Sequence, residues 1–275
     1  MIVLVIMLAA GLIILLYPSV SNWWNVRVQS RAVAAYDEAA ANLTEDEYAA
    51  CLEAAQAYNA ELAEIGSAAA IASPELVDED YWNLLDITGT GIMGYVTIDR
   101  INVQLPIYHG TDTSVLAVGA GHLEGTSLPV GGESTHSVIS AHRGLPSALL
   151  FTNLDELEVG DTFTITVLDQ LYTYEVDQIS IVLPSEVENL YIEEGKDYCT
   201  LMTCTPYGIN SHRLLVRGVR IDNEDGTLLR VSAEAYQIDT LIVASVAAVP
   251  LLLILFIWIF MRARGKRKKE AGYDE

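Results

Sequence analysis

One cysteine, one arginine and one histidine have the types and surroundings to do chemistry together. The cysteine is Cys204, in Thr200-Leu201-Met202-Thr203-Cys204-Thr205-Pro206, and the arginine is Arg213, in His212-Arg213-Leu214-Leu215-Val216-Arg217-Gly218. Residues 198–204 and 213–221 alternate as strands do, and Pro206-Tyr207-Gly208-Ile209-Asn210 between them is turn chemistry. A hairpin with Cys204 ending one strand and Arg213 opening its antiparallel partner sets the two side chains across the ladder at one rim of a sheet. His142 follows the short apolar run Ser137-Val138-Ile139-Ser140-Ala141, which reads as a buried strand delivering it to such a rim. Thiol, imidazole and guanidinium together suit acyl transfer: the thiolate attacks a carbonyl, the imidazole protonates the leaving amine, and the guanidinium donates to the oxyanion or the substrate backbone.

Longer segments carry a resemblance. Gly94-Tyr95-Val96-Thr97-Ile98, the run from Ile101 to Thr111 (Ile-Asn-Val-Gln-Leu-Pro-Ile-Tyr-His-Gly-Thr), Gly121-His122-Leu123-Glu124-Gly125-Thr126-Ser127-Leu128-Pro129 and Ser140-Ala141-His142-Arg143-Gly144-Leu145-Pro146 occur in order with the Cys204 and Arg213 segments. This text, from about residue 92 to 221, resembles the sortase family and, within it, the pilin-type class C group. The resemblance implies that His142, Cys204 and Arg213 hold the catalytic positions. It also implies cleavage of an LPxTG-like sorting signal through a Cys204 thioester, with resolution by a lysine of the next pilin subunit as an isopeptide bond. Bond energy is conserved along that route, so no cofactor is implied. Two alternatives accompany it: anchoring of surface proteins to a cell-wall precursor amine, and a non-catalytic membrane-tethered β-barrel that binds sorting signals.

The positioning elements read as mostly β. Strand-like stretches cover residues 94–98, 103–108, 137–141, 162–168, 172–183, 198–204 and 213–221, with short helices over 147–154 and 185–190. Seven or eight strands in about 130 residues suit a closed or nearly closed barrel. The resemblance makes it the eight-stranded sortase barrel, preceded by an N-terminal helical hairpin. Residues 19–65 are rich in Ala and Glu and predict two helices, the second opening at the capping box Thr44-Glu45-Asp46-Glu47, with Leu52, Ala55, Leu62 and Ile65 on its packing side. Residues 66–91 lose that periodicity at Gly66, Ser67, Ser73, Pro74, Gly89 and Gly91, apart from a short helical stretch near Asp78 to Leu85.

In pilin-type sortases this loop carries a lid with an Asp-Pro-aromatic motif. Here Ser73-Pro74-Glu75 lacks both the acid before the proline and the aromatic after it. Glu75, Asp78 or Glu79 remains a candidate partner for Arg213, and Tyr81 or Trp82 a candidate cover for the thiol, against the alternative of a plain linker.

Two long apolar segments frame the barrel region of residues 92–225. Leu241 to Met261 holds 21 uncharged residues, enough to cross ~30 Å of hydrocarbon, and follows a juxtamembrane stretch, 226–240. Six basic residues follow it in the tail 262–275, so the positive-inside bias predicts a cytoplasmic C-terminus and an extracytoplasmic catalytic domain. Ile2 to Tyr17 is uncharged and ends at Pro18, and residues 1–18 read as an uncleaved signal anchor rather than a cleaved signal peptide. By the family resemblance, the location is the cell membrane of a Gram-positive bacterium.

Charge excludes some partners. Up to Met261 the chain has nine basic against 34 acidic residues, a field that repels nucleic acid; it either draws lysine-bearing protein substrates or is a solvated acidic surface without specific meaning. Of the three cysteines, Cys51 and Cys199 read as buried spectators, since Cys199 falls on the opposite strand face from Cys204. Among the five histidines, His122 is a second groove candidate, and Thr203, beside the thiol, another. No His, Cys, Asp or Glu grouping has metal-ligand spacing, and no Gly-rich phosphate loop is present.

Overall fold

The computed structural model describes residues 2–74 and 79–223. The candidates Glu75 and Asp78, the apolar segment 241–261 and the basic tail lie outside the described residues. Among the described residues no helix is long and apolar enough to cross a membrane. The chain divides into two compact units, of which Ser21–Leu229 holds the barrel and its helical cover.

Eight strands close into a barrel in the order β1-β2-β3-β4-β7-β8-β6-β5. They are β1 (Ile92–Ile98), β2 (Val103–His109), β3 (Ala120–His122), β4 (Thr135–Ser140), β5 (Thr162–Val167), β6 (Gln170–Val182), β7 (Asp197–Thr205) and β8 (His212–Ile221). The β2–β3 and β4–β7 contacts are parallel and the rest antiparallel, with β1 against β5 completing the ring. Alternation accounts for the interior: Val96, Ile98, Leu105, Ile107, Ile139, Ile165, Leu201 and Val216 all point into one core. A smaller cluster of Val138, Val182, Leu190 and Leu215 lies apart from it, with Met202, Leu123 and Ile71 packed alongside. Leu214 and Val216 belong to the core and Leu215 to this second cluster, so the second cluster sits on the outer face of β8.

Helix α1 (Ile2–Ala41) runs without interruption through Pro18, so the expected boundary there is not a break in secondary structure. Within Ser21–Leu229 its buried residues Gln29, Val33, Tyr36 and Ala40 recur at helical spacing. The Tyr36 hydroxyl donates to the Met93 carbonyl and accepts from the Leu168 amide, both at 2.9 Å, tying α1 to β1 and the β5–β6 turn. Helix α2 (Glu45–Ile65) starts at the expected capping box, with Glu47 N–H bonded to Thr44 Oγ1 and Thr44 N–H to the Glu47 carboxylate. It buries Ala55, Tyr58, Asn59 and Leu62 against the core.

The expected loop after α2 is in part helical: α3 (Ser67–Ala72) follows Gly66 directly. Gly125 lies beneath it at φ +77°, where a Cβ would come within 2.3 Å of the Ala70 carbonyl oxygen, so α3 can sit this low only over glycine. Four other differences concern short elements. The pattern missed β3 and the single turn α4 (Thr113–Leu116), and the helices expected over 147–154 and 185–190 reduce to 3₁₀ turns at Leu154–Glu156 and Glu188–Leu190.

Candidate active site

Three neighbouring strands bring the expected trio together. Cys204 pairs directly with Arg213 across the antiparallel β7–β8 ladder. On the other side of β7, Ser140 of β4 is level with Met202, and the pairing continues as Ala141 N–H donates to the Met202 carbonyl at 3.1 Å. Two residues further along both parallel strands stand His142 and Cys204. Parity then sets the face. Cys199 and Leu201 fill the barrel core, whereas Met202 packs in the outer cluster and Cys204, two residues on, is partly exposed.

Among the described residues none of the three side chains is held by another side chain. Among the described residues neither the His142 imidazole nor the Cys204 thiol has a hydrogen-bond partner. The Arg213 Nη1 donates to the carbonyls of Asn210 and His212, at 3.4 and 3.2 Å, and no described carboxylate pairs with it. Its neighbours differ. Arg143 is paired with Asp155, while Arg217 holds Asp177 at 2.8 Å and Glu193 at 3.2 Å and lies over the Tyr198 ring. Arg213 therefore has the open donor fork that an oxyanion needs.

The β7–β8 turn and the loop after His142 meet at Gly144. Its φ is +78°, and a Cβ there would be 3.1 Å from the Tyr207 ring, so glycine permits the close approach. Arg143 lies 5.9 Å from the centroid of the same ring. Nothing in the spacing of residues 143 and 207 announces that contact.

Both groove candidates are corrected by burial. His122 is fully buried, with Nε2 2.8 Å from the Ser127 carbonyl and Nδ1 2.9 Å from the Tyr81 hydroxyl, and burial lowers its pKa to about 4. It is a neutral structural imidazole with no edge to offer a substrate. Thr203 is 1% exposed and donates from Oγ1 to the Ala141 carbonyl at 2.8 Å, on the inner side of β7. That bond joins the residue before Cys204 to the residue before His142.

The lid candidates within the described residues are engaged elsewhere. Tyr81 is buried and receives a hydrogen bond from the Gly110 amide, besides its contact with His122. Trp82 is half-exposed and packs on Tyr81, His109 and the backbone of Gly110. Those contacts lie at the end of β2, three strands from β7. The other cysteines are less suited to the chemistry. Burial pushes the Cys199 thiol far up, and burial raises that of Cys51 as well, which disfavours thiolate in both. Among the described residues no group of three or more His, Cys, Asp or Glu converges as for a metal ion.

Comparison with known proteins identifies the family. Residues 96–221 match the model of the sortase domain. The crystal structure of sortase C1 from Streptococcus agalactiae is 49% identical, covers 70% of this chain and 100% of its own, and superposes with a TM-score of 0.67. The chain belongs to the sortase family. Its class C, pilin-type character is carried by that match and by sortase C of Streptococcus pneumoniae, 45% identical over 70% of this chain and 97% of the other, at a TM-score of 0.62. Among curated sequences, this sortase is 32% identical to Sortase A of S. agalactiae over 117 residues and 30% identical to Sortase D of Bacillus subtilis over 131. Those matches span 47% and 63% of the relatives' lengths and 42% and 46% of this chain.

Proposed function

We propose that the chain is a cysteine transpeptidase that cleaves an LPxTG-like sorting signal and joins pilin subunits through lysine isopeptide bonds. One observation supports this above the others: Cys204 stands directly opposite an arginine that no described carboxylate neutralises, on a partly exposed face, with His142 delivered by the strand on its other side. The Cys204 thiolate attacks the carbonyl of the signal threonine. Arg213 donates to the oxyanion of the tetrahedral intermediate. The C–N bond then breaks, His142 gives its proton to the departing glycine amine, and a thioester remains on Cys204. A lysine amine attacks that thioester, the C–S bond breaks, and the proton that the amine loses passes to His142. Cys204 leaves as thiolate, and the site returns to the state in which it began.

His142, Cys204 and Arg213 are the residues proposed to touch substrate. Similarity to a sortase C described in terms of pilin substrate specificity supports the pilin acceptor. The matches to Sortase A and Sortase D proteins make a cell-wall-precursor amine the competing acceptor. The apolar runs 2–17 and 241–261 and the basic tail after Met261 support attachment to a bacterial membrane with the barrel outside. The test is mass spectrometry of the full chain mixed with a sorting peptide, first alone and then with a lysine-bearing pilin fragment or a cell-wall-precursor amine. A threonyl thioester on Cys204 that only the pilin fragment converts to an isopeptide supports the proposal. Consumption by the precursor amine alone moves the acceptor, and cleavage without a Cys204 adduct rejects the mechanism.

A further inference from the structure

The segment from His142 to Phe151 contains no helix or named strand, yet it begins at the proposed proton donor. Its base is closed by the Phe151 amide, which donates to the His142 carbonyl at 3.1 Å. Ala148, Leu150 and Phe151 are buried, which fixes the inner side of the loop. Leu150 is held at φ +45°, a left-handed conformation that a branched side chain adopts only where its surroundings impose it.

Helix α1 holds the outer side. Asn22 Oδ1 accepts from the Leu149 amide at 2.9 Å, and Asn25 Nδ2 donates to the Ser147 carbonyl at 2.8 Å. The two asparagines are three residues apart on the helix, on the side that further along carries the buried Gln29 and Val33. Gln29 makes the comparable bond to a different part of the barrel, with Nε2 2.9 Å from the Val118 carbonyl after α4. The helix thus has one anchor that leads to His142 and another that does not.

We propose that Asn22 and Asn25 are positioning residues for His142: they clamp the loop at residues 147–149, and through its closed base they set the imidazole against Cys204. This rests on the transpeptidase reading. The clamp makes α1 part of the machinery of the site rather than a tether alone.

The experiment uses the full chain in detergent and reads two quantities: kcat and KM for peptide cleavage, and hydrogen exchange over residues 142–151. In the Asn22→Ala/Asn25→Ala double variant kcat falls by about tenfold or more with KM within about twofold, because a sub-ångström misplacement of a proton donor is felt in the chemical step. Exchange at Leu149 and Phe151 accelerates in parallel. Gln29→Ala loosens α1 and leaves kcat as it was. Aspartate discriminates further, since Asn22 acts as acceptor and Asn25 as donor: Asn22→Asp retains activity and Asn25→Asp loses it. These single variants also carry the test if the double variant fails to fold. Unchanged kcat in the double variant, or equal behaviour of the two aspartates, overturns the clamp. A wild-type chain without acyl transfer instead rejects the transpeptidase reading, and the exchange data then decide the clamp: unaltered exchange in the double variant refutes it.

Discussion

The rim formed by β4, β7 and β8 and the region beneath α2 and α3 use the same kinds of side chain to opposite ends. At the rim, His142 and Cys204 have no hydrogen-bond partner among the described residues, and Arg213 meets only backbone carbonyls. Beneath the helices, His122 is wedged between Tyr81 and the Ser127 carbonyl, and Asn59 exchanges two hydrogen bonds with the backbone of Leu128. A second enclosed imidazole, His136, bonds the Tyr191 carbonyl and the Thr200 hydroxyl. Residue type alone does not separate a reactive histidine from a structural one. The difference lies in whether donors and acceptors are already used, because a satisfied buried group is costly to unpair and an unsatisfied exposed one is available to a substrate.

The largest expected effect falls on the rim. Cys204→Ala abolishes the acyl-enzyme, whereas Cys51→Ala and Cys199→Ala retain it, checked by intact mass after incubation with a sorting peptide. An adduct on Cys199 would erase the contrast between the two faces of β7. Next, Arg213→Lys keeps the charge and loses the planar fork. Removal of one oxyanion donor costs about 2.7–4 kcal/mol, so kcat drops by roughly a hundredfold or more while the melting temperature holds. Near-normal turnover would assign the oxyanion to another group.

The enclosed histidines are expected to act through stability instead. Burial lowers the pKa of both His122 and His136 to about 4, against about 6.5 when unfolded. The unfolded chain therefore binds protons that the folded one refuses, and the stabilisation present above about pH 6.5 is lost as the pH falls toward 4. Each histidine accounts for about 2 kcal/mol lost by pH 5. Urea unfolding at pH 7 and pH 5 measures it, and His122→Gln should show a shallower dependence than the parent. An unchanged dependence would mean that His122 is not a neutral buried group. The smallest effect concerns the segment after α3: a Gly/Ser replacement of residues 73–80 changes the rate of Cys204 alkylation by less than about tenfold, or ~1.4 kcal/mol of closure. An acceleration of a hundredfold would reveal a tight lid at the rim.

Much of this site was legible because it is local. Pro206 to Asn210 marks a hairpin, and a hairpin dictates that Cys204 meets Arg213. The alternation of β7 likewise assigns Cys199 to the core. The same parity argues against Thr203 as a groove residue, since neighbours on a strand face opposite ways. Burial of His122 was not legible, because it depends on α2, α3 and the turn carrying Tyr81 closing over the three-residue strand β3. Nor were the contacts of Asn22 and Asn25, whose partners lie 127 and 122 residues away. Those depend on where a helix docks, which periodicity does not specify.

On the proposed mechanism the rim of β4, β7 and β8, and no other part of the molecule, forms a covalent intermediate. Peptide mapping of the full chain, trapped with a sorting peptide at equal pH in parent and His142→Ala forms, tests it most directly. The expected result is a threonyl thioester on Cys204 in the parent, its release as an isopeptide on addition of a lysine-bearing pilin fragment, and strongly reduced adduct in His142→Ala. Undiminished adduct in the His142 variant, or a modified residue other than Cys204, would contradict it.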